Sequence, residues 1–447
     1  MRLAICPAAP VACLALLLVG CNSSPAQSPV TRTVIAAKAG ENEKGIADFP
    51  GLSPADWPWW RGPTRNGIAP SSAAPPTKFS DKENVVWKTP VPGRGHSSPI
   101  IVGDRIFLTT ADDAQQTQSV VAFDRAGGKQ LWQQEISRGG FPRSIHGKNT
   151  HASPTIACDG QKLLATFFHH QKIQLAALGL DGKQLWQITA GPFDPQRYEY
   201  GYAPSPVLYR ATVIVTAEYD GDSFIAAFDR DGGKEVWRTS RPENISYSTP
   251  VIAHLAGRDQ LLISGADQVA SYDPNSGKLL WSVPGTTAAT CGTIVWDGDT
   301  VFATGGYPGS ETIAIQADGS GRVLWRNNQK GYEQSMLAHA GYAYLLNENG
   351  ILYCFRASDG KQMWNKRLGG PESASPVLAG GHIYWANEKG EFFVFKPNPQ
   401  KFDLVAKNQL GNDSFASPAV SGNQLFLRVA FRSGGKREEF LYCIGSP

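Results

Sequence analysis

One phrase recurs along the chain and limits what it can fold into. A small residue and a large apolar residue are followed by a turn, a Gly-Lys pair and, three residues after the lysine, a tryptophan. The clearest copies end at Trp132, Trp186, Trp237, Trp281 and Trp364. A copy with Gly-Arg ends at Trp325, and a worn copy reaches Val405 without a tryptophan. Such repetition predicts an array of equal supersecondary units.

A second marker opens each copy of the repeat. A hydroxyl residue and a proline precede an apolar strand at Ser98, Ser153, Ser205, Thr249, Ser375 and Ser417. Degenerate versions lie around Thr293 and Met336, and the eight markers are spaced by about 40 to 55 residues. Each interval holds short apolar strands broken by Gly-Asp or Asp-Gly turns, which is typical of a four-stranded propeller blade.

The number of blades depends on the first strand of the chain. Eight opening markers need eight outer strands, but the chain ends at Pro447, soon after the eighth marker. The missing strand is found in "ENVVWKTPVPG", where Trp87 precedes the first marker. The sequence therefore predicts an all-β fold over residues 56–447, an eight-bladed β-propeller of four-stranded antiparallel blades. The N-terminal strand completes the last blade and so removes two open sheet edges.

The start of the chain has the features of an export signal. Arg2 precedes an apolar run that is too short to span a bilayer, so residues 1–20 are predicted to be a signal peptide. The run ends in Leu-Val-Gly-Cys, which resembles a bacterial lipobox and predicts lipidation at Cys21, although an ordinary secretory signal is the alternative. Residues 21–55 are predicted to be a flexible tether.

The predicted lipid anchor also suggests where the protein works. Asn22 stands where an Asp would retain a lipoprotein at the inner membrane. We therefore expect an exported, membrane-anchored lipoprotein of the outer membrane that faces the periplasm. No later segment is long and apolar enough to predict a membrane span.

The repeat resembles the PQQ-type propeller repeat from about Val85 to Ile444. That family includes PQQ-dependent alcohol and glucose dehydrogenases as well as BamB-type lipoproteins. The BamB-type members are eight-bladed scaffolds without a cofactor that assist outer-membrane protein assembly. The stretch "DWPWWRGPTRNG" at residues 56–67 is similar to the opening of exported PQQ-like propeller proteins. The resemblance thus implies either a scaffold or a quinoprotein.

The residues favour the scaffold over the enzyme. The resemblance to the alcohol dehydrogenases implies adjacent cysteines and a calcium site beside a catalytic Asp, but the sequence has no Cys-Cys pair and no stretch that matches that site. Cys354 and Cys443 occupy a small, buried strand position in separate blades, which predicts free thiols. We expect no catalytic residue, no metal and no cofactor, and keep a PQQ- and calcium-dependent alcohol or sugar dehydrogenase as the alternative.

Two neighbouring connections, 133–153 and 187–205, are longer than the others and are called the inserted connections. They emerge on one face of a propeller and are rich in Arg, His and Tyr, which suit binding interfaces. The predicted binding residues are Arg143, His146, His151, Arg197, Tyr198, Tyr200 and Tyr202. The residues predicted to surround the channel mouth are His96, His151, Tyr202, Tyr247, Thr290, Glu333 and Ser373. The alternative is that these loops merely vary in length.

The net charge argues against nucleic acid as the partner of this protein. The net charge is +3, and no run of Lys and Arg forms a patch for nucleic acid. We expect envelope proteins as partners, contact with the membrane only through the lipid anchor, and a protein that is monomeric on its own. A carbohydrate-binding accessory propeller is the remaining alternative, because aromatic residues at a propeller face can stack on sugars.

Overall fold

The structure is a computed structural model and describes residues 49–446. The predicted signal peptide, the lipidation site Cys21 and most of the predicted tether lie outside the described residues. The described part of the chain forms 32 strands in eight four-stranded antiparallel sheets and contains no helix. The predicted eight-bladed propeller is therefore confirmed.

The first four blades follow one another along the chain, each with its innermost strand first. Blade 1 consists of β2 Ile100–Val102, β3 Arg105–Asp112, β4 Thr117–Asp124 and β5 Gln130–Arg138. Blade 2 consists of β6 Ala157–Cys158, β7 Lys162–His169, β8 Lys172–Gly179 and β9 Gln184–Pro192. Blade 3 consists of β10 Val207–Tyr209, β11 Thr212–Ala217, β12 Phe224–Asp229 and β13 Glu235–Ser240. Blade 4 consists of β14 Val251–Leu255, β15 Arg258–Gly265, β16 Gln268–Tyr272 and β17 Leu279–Pro284.

The last four blades continue in the same order, except that blade 8 takes its outer strand from the start of the chain. Blade 5 consists of β18 Val295–Asp297, β19 Thr300–Gly305, β20 Glu311–Gln316 and β21 Val323–Asn327. Blade 6 consists of β22 Leu337–His339, β23 Tyr342–Leu346, β24 Ile351–Arg356 and β25 Gln362–Arg367. Blade 7 consists of β26 Val377–Ala379, β27 His382–Ala386, β28 Glu391–Lys396 and β29 Asp403–Gln409. Blade 8 consists of β30 Ala419–Ser421, β31 Gln424–Ser433, β32 Lys436–Ile444 and β1 Val85–Val91.

The ring closes through the pairing of β1 with β32. The strands are antiparallel, with Trp87 opposite Cys443. The Trp87 ring also lies against Phe426 of β31, at a centroid distance of 6.1 Å. This is the predicted closure, and it leaves blade 8 with four strands like every other blade.

The small residue of the repeat lies directly across the strand pair from the tryptophan. Ala122 pairs with Trp132, and Cys354 pairs with Trp364. The free thiols predicted for Cys354 and Cys443 are confirmed, since both are buried and unpaired. In blade 7 Val394 pairs with Ala406 rather than Val405, because the turn between β28 and β29 is longer than in blade 1, where Ala122 pairs with Trp132. The prediction that Val405 takes the tryptophan position was therefore wrong by one residue.

In six blades the tryptophan is anchored on the next blade, which explains why the turn needs a glycine, whereas Trp281 of blade 4 donates to Gln260 of its own blade. Trp132 of blade 1 donates its indole N–H to the Leu180 carbonyl of blade 2, at 3.1 Å. A Cβ on Gly182 would lie 2.7 Å from that indole, and the φ of Gly182 is +88°. The same bond to the next blade is made by Trp87, Trp186, Trp237, Trp325 and Trp364. The phrase thus encodes contacts between blades as well as a strand and a turn.

Residues 56–69, here called the plug, cross the end of the channel where the innermost strands finish. The plug forms an antiparallel bridge between Trp57 and Ile101 and a parallel bridge between Ile68 and Leu378. Between these ends it also forms hydrogen bonds with Cys158, Leu208, Trp296 and Met336. These partners belong to six of the eight blades, so the segment closes one end of the channel.

The seven described residues of the predicted tether lie against the propeller. Phe49 is buried, and its ring meets that of Trp59 edge to face at a centroid distance of 5.5 Å. Leu52 packs against the same apolar cluster. The packed part of the chain therefore begins ahead of the plug.

Candidate functional site: the channel mouth

The end of the channel opposite the plug opens into a cavity of about 180 Å³. The indole of Trp60, the one plug side chain that lines this cavity, donates its N–H to Thr293 Oγ1 at 2.9 Å. Of the residues predicted to surround the mouth, the structure places His96, Tyr247, Glu333 and Ser373 on the cavity wall. The plug therefore turns a through-channel into a cup that opens on one face.

A ring of hydroxyl residues forms the inner wall of the cup. One residue of each blade stands two positions before the first paired residue of the innermost strand, and in all eight blades it is Ser or Thr. This hydroxyl ring consists of Ser98, Thr155, Ser205, Thr249, Thr293, Ser335, Ser375 and Ser417. In blade 2 the member is Thr155 and not Ser153 of the Ser-Pro marker, because the proline there lies two residues earlier relative to the strand.

Hydrogen bonds run around the hydroxyl ring from blade to blade. The backbone N–H of Ser98 donates to Thr155 Oγ1 at 3.0 Å, and that of Thr155 donates to Ser205 Oγ at 2.9 Å. The same bond joins four further neighbouring pairs, from Ser205 to Thr249, Thr293 to Ser335, Ser335 to Ser375 and Ser375 to Ser417. The opening marker of the repeat thus holds the innermost strands together at the mouth.

The two inserted connections form one surface at the mouth. Asn149 Nδ2 of the first donates to the Tyr200 carbonyl of the second at 2.7 Å, and the His146 and Tyr200 rings meet edge to face at 4.9 Å. Tyr198 packs on Tyr200, with ring centroids 5.6 Å apart. The Tyr247 hydroxyl donates to the Tyr198 carbonyl at 2.8 Å and ties this surface to blade 4. His146 and Tyr200 line the cavity.

The other predicted binding residues lie in different surroundings. Arg143 and Arg197 are exposed. His151 is half-buried, with its ring stacked on Phe141 at 3.9 Å. Tyr202 is buried and donates its hydroxyl to the Thr216 carbonyl at 2.8 Å, and its burial raises its pKa well above the usual range. Tyr202 is thus a packing residue, while the two arginines face solvent.

A lysine bridges two carboxylates across the mouth. Lys148 Nζ lies 3.1 Å from Glu333 Oε2 and 2.9 Å from Glu388 Oε1. Burial raises the pKa of Glu333 to about 7, although Lys148 opposes the shift. Burial alone would lower the pKa of Lys148, but Glu333 and Glu388 more than offset it and the pKa is raised. The sequence analysis missed Lys148, although it lies inside an inserted connection.

Burial favours the neutral forms of two histidines and one cysteine in the cavity. Burial lowers the pKa of His96 well below its usual value, and its ring stacks on Phe415 at 4.3 Å. Burial raises the pKa of the Cys291 thiol to about 12, so it is not a reactive thiolate. The pKa of His146 is also lowered by burial. These groups form a polar wall and no nucleophile–base pair.

Within the described residues, the cavity lacks two features that the dehydrogenase alternative implies, a cluster of acidic metal ligands and a pair of adjacent cysteines. Within residues 49–446, no group of three or more His, Cys, Asp or Glu side chains is placed to hold a metal ion. The cysteines that the structure describes are all unpaired, and Cys291 is the one that lines the cavity. The residues present therefore do not fit the cofactor set of the dehydrogenase alternative.

Comparisons with known proteins place this architecture in one family. The family model described as "Outer membrane protein assembly factor BamB" matches residues 80–219, 116–366 and 309–398, which together cover well over half of the chain. A BamB of Burkholderia pseudomallei is 25% identical over 374 residues, which are 72% of this chain and 91% of that protein.

Solved structures show the same fold at low sequence identity. The crystal structure of BamB from Moraxella catarrhalis superimposes with a TM-score of 0.55 at 16% identity, covering 80% of this chain and 96% of that one. A europium-containing methanol dehydrogenase gives a TM-score of 0.64 at 12% identity, covering 90% of this chain and 100% of that one. Both matches concern the fold alone. By the match to its family model, the chain belongs to the family of the outer membrane protein assembly factor BamB.

Proposed function

We propose that this protein is a non-catalytic scaffold of the cell envelope that binds another envelope protein, in the service of outer-membrane protein assembly. Membership of the BamB family supports this proposal, because the family's description names that process. The partner binds on the face of the propeller that carries the inserted connections. The protein has no active site of its own in this proposal.

The observation that carries the proposal is the way the two inserted connections are joined. The Asn149 side chain and the His146 backbone N–H both donate to the Tyr200 carbonyl, so the two loops support each other. A surface held in this way loses little conformational entropy when a partner binds. Preorganised loops on a rigid scaffold are the usual place for binding residues.

The exposed residues of this surface suit a protein partner. Arg143 and Arg197 present guanidinium groups to solvent, and Tyr198 presents a half-buried ring beside them. Arg and Tyr are enriched among the residues that dominate binding energy at protein interfaces. A guanidinium pairs with a carboxylate through two parallel bonds, so we propose a partner surface with acidic side chains.

The anchor proposed for this scaffold lies outside the described residues. Lipidation at Cys21 and the tether after it hold the propeller near the outer membrane on its periplasmic side, and the free protein is a monomer. Residues 49–446 contain no helix that is long and apolar enough to cross a bilayer.

The test uses the full-length protein in native envelopes. A photo-crosslinking residue in place of Arg197 is expected to capture a neighbouring protein, and the double variant Arg143→Ala, Arg197→Ala is expected to lose most of that protein on purification. Arg210→Ala is the matched control, because Arg210 is exposed on the opposite face, in the turn between β10 and β11. Equal retention by the double variant and the control would overturn the proposal.

A further inference from the structure

We propose that the cup at the channel mouth is a binding site for a small, neutral, polyhydroxylated ligand of the monosaccharide class. The hydroxyl ring would donate to the ligand, Glu333 and His96 would accept from it, and aromatic rings would hold its apolar faces. The cup shares His146 and Tyr200 with the joined inserted connections. Its proposed ligand does not depend on the exposed arginines that carry the protein-binding proposal, so the two proposals are tested independently.

The donors come from the hydroxyl ring. Six of its members line the cavity, and each is more than nine-tenths buried: Thr155, Ser205, Thr249, Thr293, Ser375 and Ser417. Each hydroxyl oxygen accepts a hydrogen bond, from a backbone N–H or, for Thr293, from the Trp60 indole. Within residues 49–446, none of the six hydroxyl groups donates a hydrogen bond to another protein group. A hydroxyl carries one proton to donate, so six buried protons have no protein acceptor.

Two hydrogen-bond acceptors, on Glu333 and His96, lie on the wall of the same cavity. Glu333 Oε1 is buried without a hydrogen-bond partner in the described part of the protein, while its other oxygen contacts Lys148. His96 Nε2 is likewise buried without a partner among residues 49–446. The imidazole has a hydrogen bond with the Lys148 backbone and is neutral, so the free nitrogen is an acceptor. The cup therefore offers unused acceptors as well as unused donors.

This combination selects the chemical class of the ligand. An anion would satisfy the hydroxyl protons but would leave Glu333 Oε1 and His96 Nε2 without donors and would be repelled by the carboxylate. An ammonium ion would satisfy Glu333 and leave the hydroxyl protons unused. A molecule that carries several hydroxyl groups donates and accepts at once, so it meets both requirements.

The shape and walls of the cup fit a ring-shaped ligand. Trp60, Tyr247 and Phe415 contribute aromatic surface, and a mostly apolar lining with a few placed polar groups is the usual composition of a small-molecule site. The cavity of about 180 Å³ is smaller than the ~300–1,000 Å³ of typical drug-sized sites, which favours a single sugar ring. Because the plug closes the far end, a longer glycan could insert only its terminal residue.

The test is a titration of the purified protein, without its signal peptide, followed by Trp fluorescence and calorimetry. The probes are glucose and N-acetylglucosamine, a short oligosaccharide of the same sugars, putrescine as an amine and citrate as an anion. We expect saturable binding of a neutral sugar at about millimolar concentration or below. Binding of the oligosaccharide but not of the free sugar would identify a glycan end as the source of the ligand.

Substitutions of residues that line the cup are expected to weaken the binding of the sugar. Thr249→Val and His96→Phe each remove one proposed ligand bond and keep the side-chain shape, so each is expected to weaken binding about fivefold. Thr212→Val is the matched control, since the Thr212 hydroxyl bonds to the Tyr209 carbonyl away from the cavity. Circular dichroism confirms that each variant is folded. Binding of only putrescine or citrate, unchanged binding by both cup variants, or a cup that holds water only would overturn the proposal.

Discussion

Lys148 Nζ and Glu333 Oε2 lie 3.1 Å apart although they stand on opposite sides of the propeller. Lys148 belongs to the connection between blades 1 and 2, whereas Glu333 belongs to the connection between blades 5 and 6, four blades away around the ring. The first inserted connection therefore reaches across the mouth. Its position over the cup is fixed by this ion pair and by the second one, to Glu388.

Replacing Lys148 should make the first inserted connection more mobile. In Lys148→Met the two carboxylates lose their shared cation, and we expect faster amide hydrogen exchange over residues 139–150 with a loss of about 1–2 kcal/mol in the free energy of unfolding. Lys407→Met is the control, because Lys407 pairs with Glu391 on the surface of blade 7. Unchanged exchange over the connection would show that the loop is held by other contacts.

Replacing a turn glycine by alanine should destabilise the protein more where a tryptophan packs on that glycine. Gly182→Ala meets two costs, a φ of +88° and a Cβ placed 2.7 Å from the Trp132 ring. Gly257→Ala meets only the first, since its φ is +78° and no atom lies within 4 Å of the added Cβ. We expect losses of about 3 kcal/mol and about 1 kcal/mol, respectively, in chemical denaturation. Equal losses would mean that the contact with the neighbouring blade contributes nothing.

Closure of the ring should depend on one side chain of β1. Trp87 is 9% exposed, pairs with Cys443 of blade 8 and donates its indole N–H to the Arg125 carbonyl of blade 1. Trp87→Ala removes the link between the first and last blades, with an expected loss of about 3–5 kcal/mol and a lower melting temperature. Leu131→Ala is the control, since Leu131 is 44% exposed. A melting temperature equal to that of the control would contradict this role for Trp87.

The parts of the fold that the sequence predicts are those that repeat. The tryptophan, the small residue opposite it and the hydroxyl marker recur in every copy or nearly so, and one strand left over at Trp87 suffices to predict closure. The blade 7 shift from Val405 to Ala406 escaped prediction because this copy has neither the Gly-Lys pair nor the tryptophan that mark the length of the turn in the other copies.

The parts that the sequence does not predict depend on contacts that are long-range and occur once. The plug touches six blades, yet nothing in its local pattern indicates which strands those are. Lys148 and Glu388 are separated by 240 positions and come together only when the ring closes. Trp60 belongs to the stretch that resembles the opening of exported PQQ-like propeller proteins, but its place at the floor of the cup follows from the path of the plug. The lengths of the inserted connections did pick out two loops that contribute residues to the wall of the cavity.

A buried carboxyl beside the Lys148 bridge makes stability depend on pH. Glu372 is 2% exposed, and neither of its oxygens has a hydrogen-bond partner within the described residues. Burial raises its pKa to about 8, with Glu388 and Glu333 adding to the shift and Lys148 opposing it. An unfolded glutamate has a pKa of about 4.3, so between these values the folded state holds a proton that the unfolded state has lost. Stability must therefore fall as pH rises through this interval.

Between pH 6.5 and 8.5, ionisation of Glu372 should be the main cause of the change in stability. Below this window the buried histidines, whose pKa values are lowered, contribute a change of opposite sign, because they are neutral when folded and protonated when unfolded. We expect the wild type to lose about 2 kcal/mol of unfolding free energy across the window, with Glu333 contributing near its lower end. Glu372→Gln should remove most of that slope and be the more stable protein at pH 8.5. Glu391→Gln is the control, since the Glu391 pKa is lowered and it titrates far below the window. Parallel pH profiles for the wild type and Glu372→Gln would show that Glu372 is already ionised throughout.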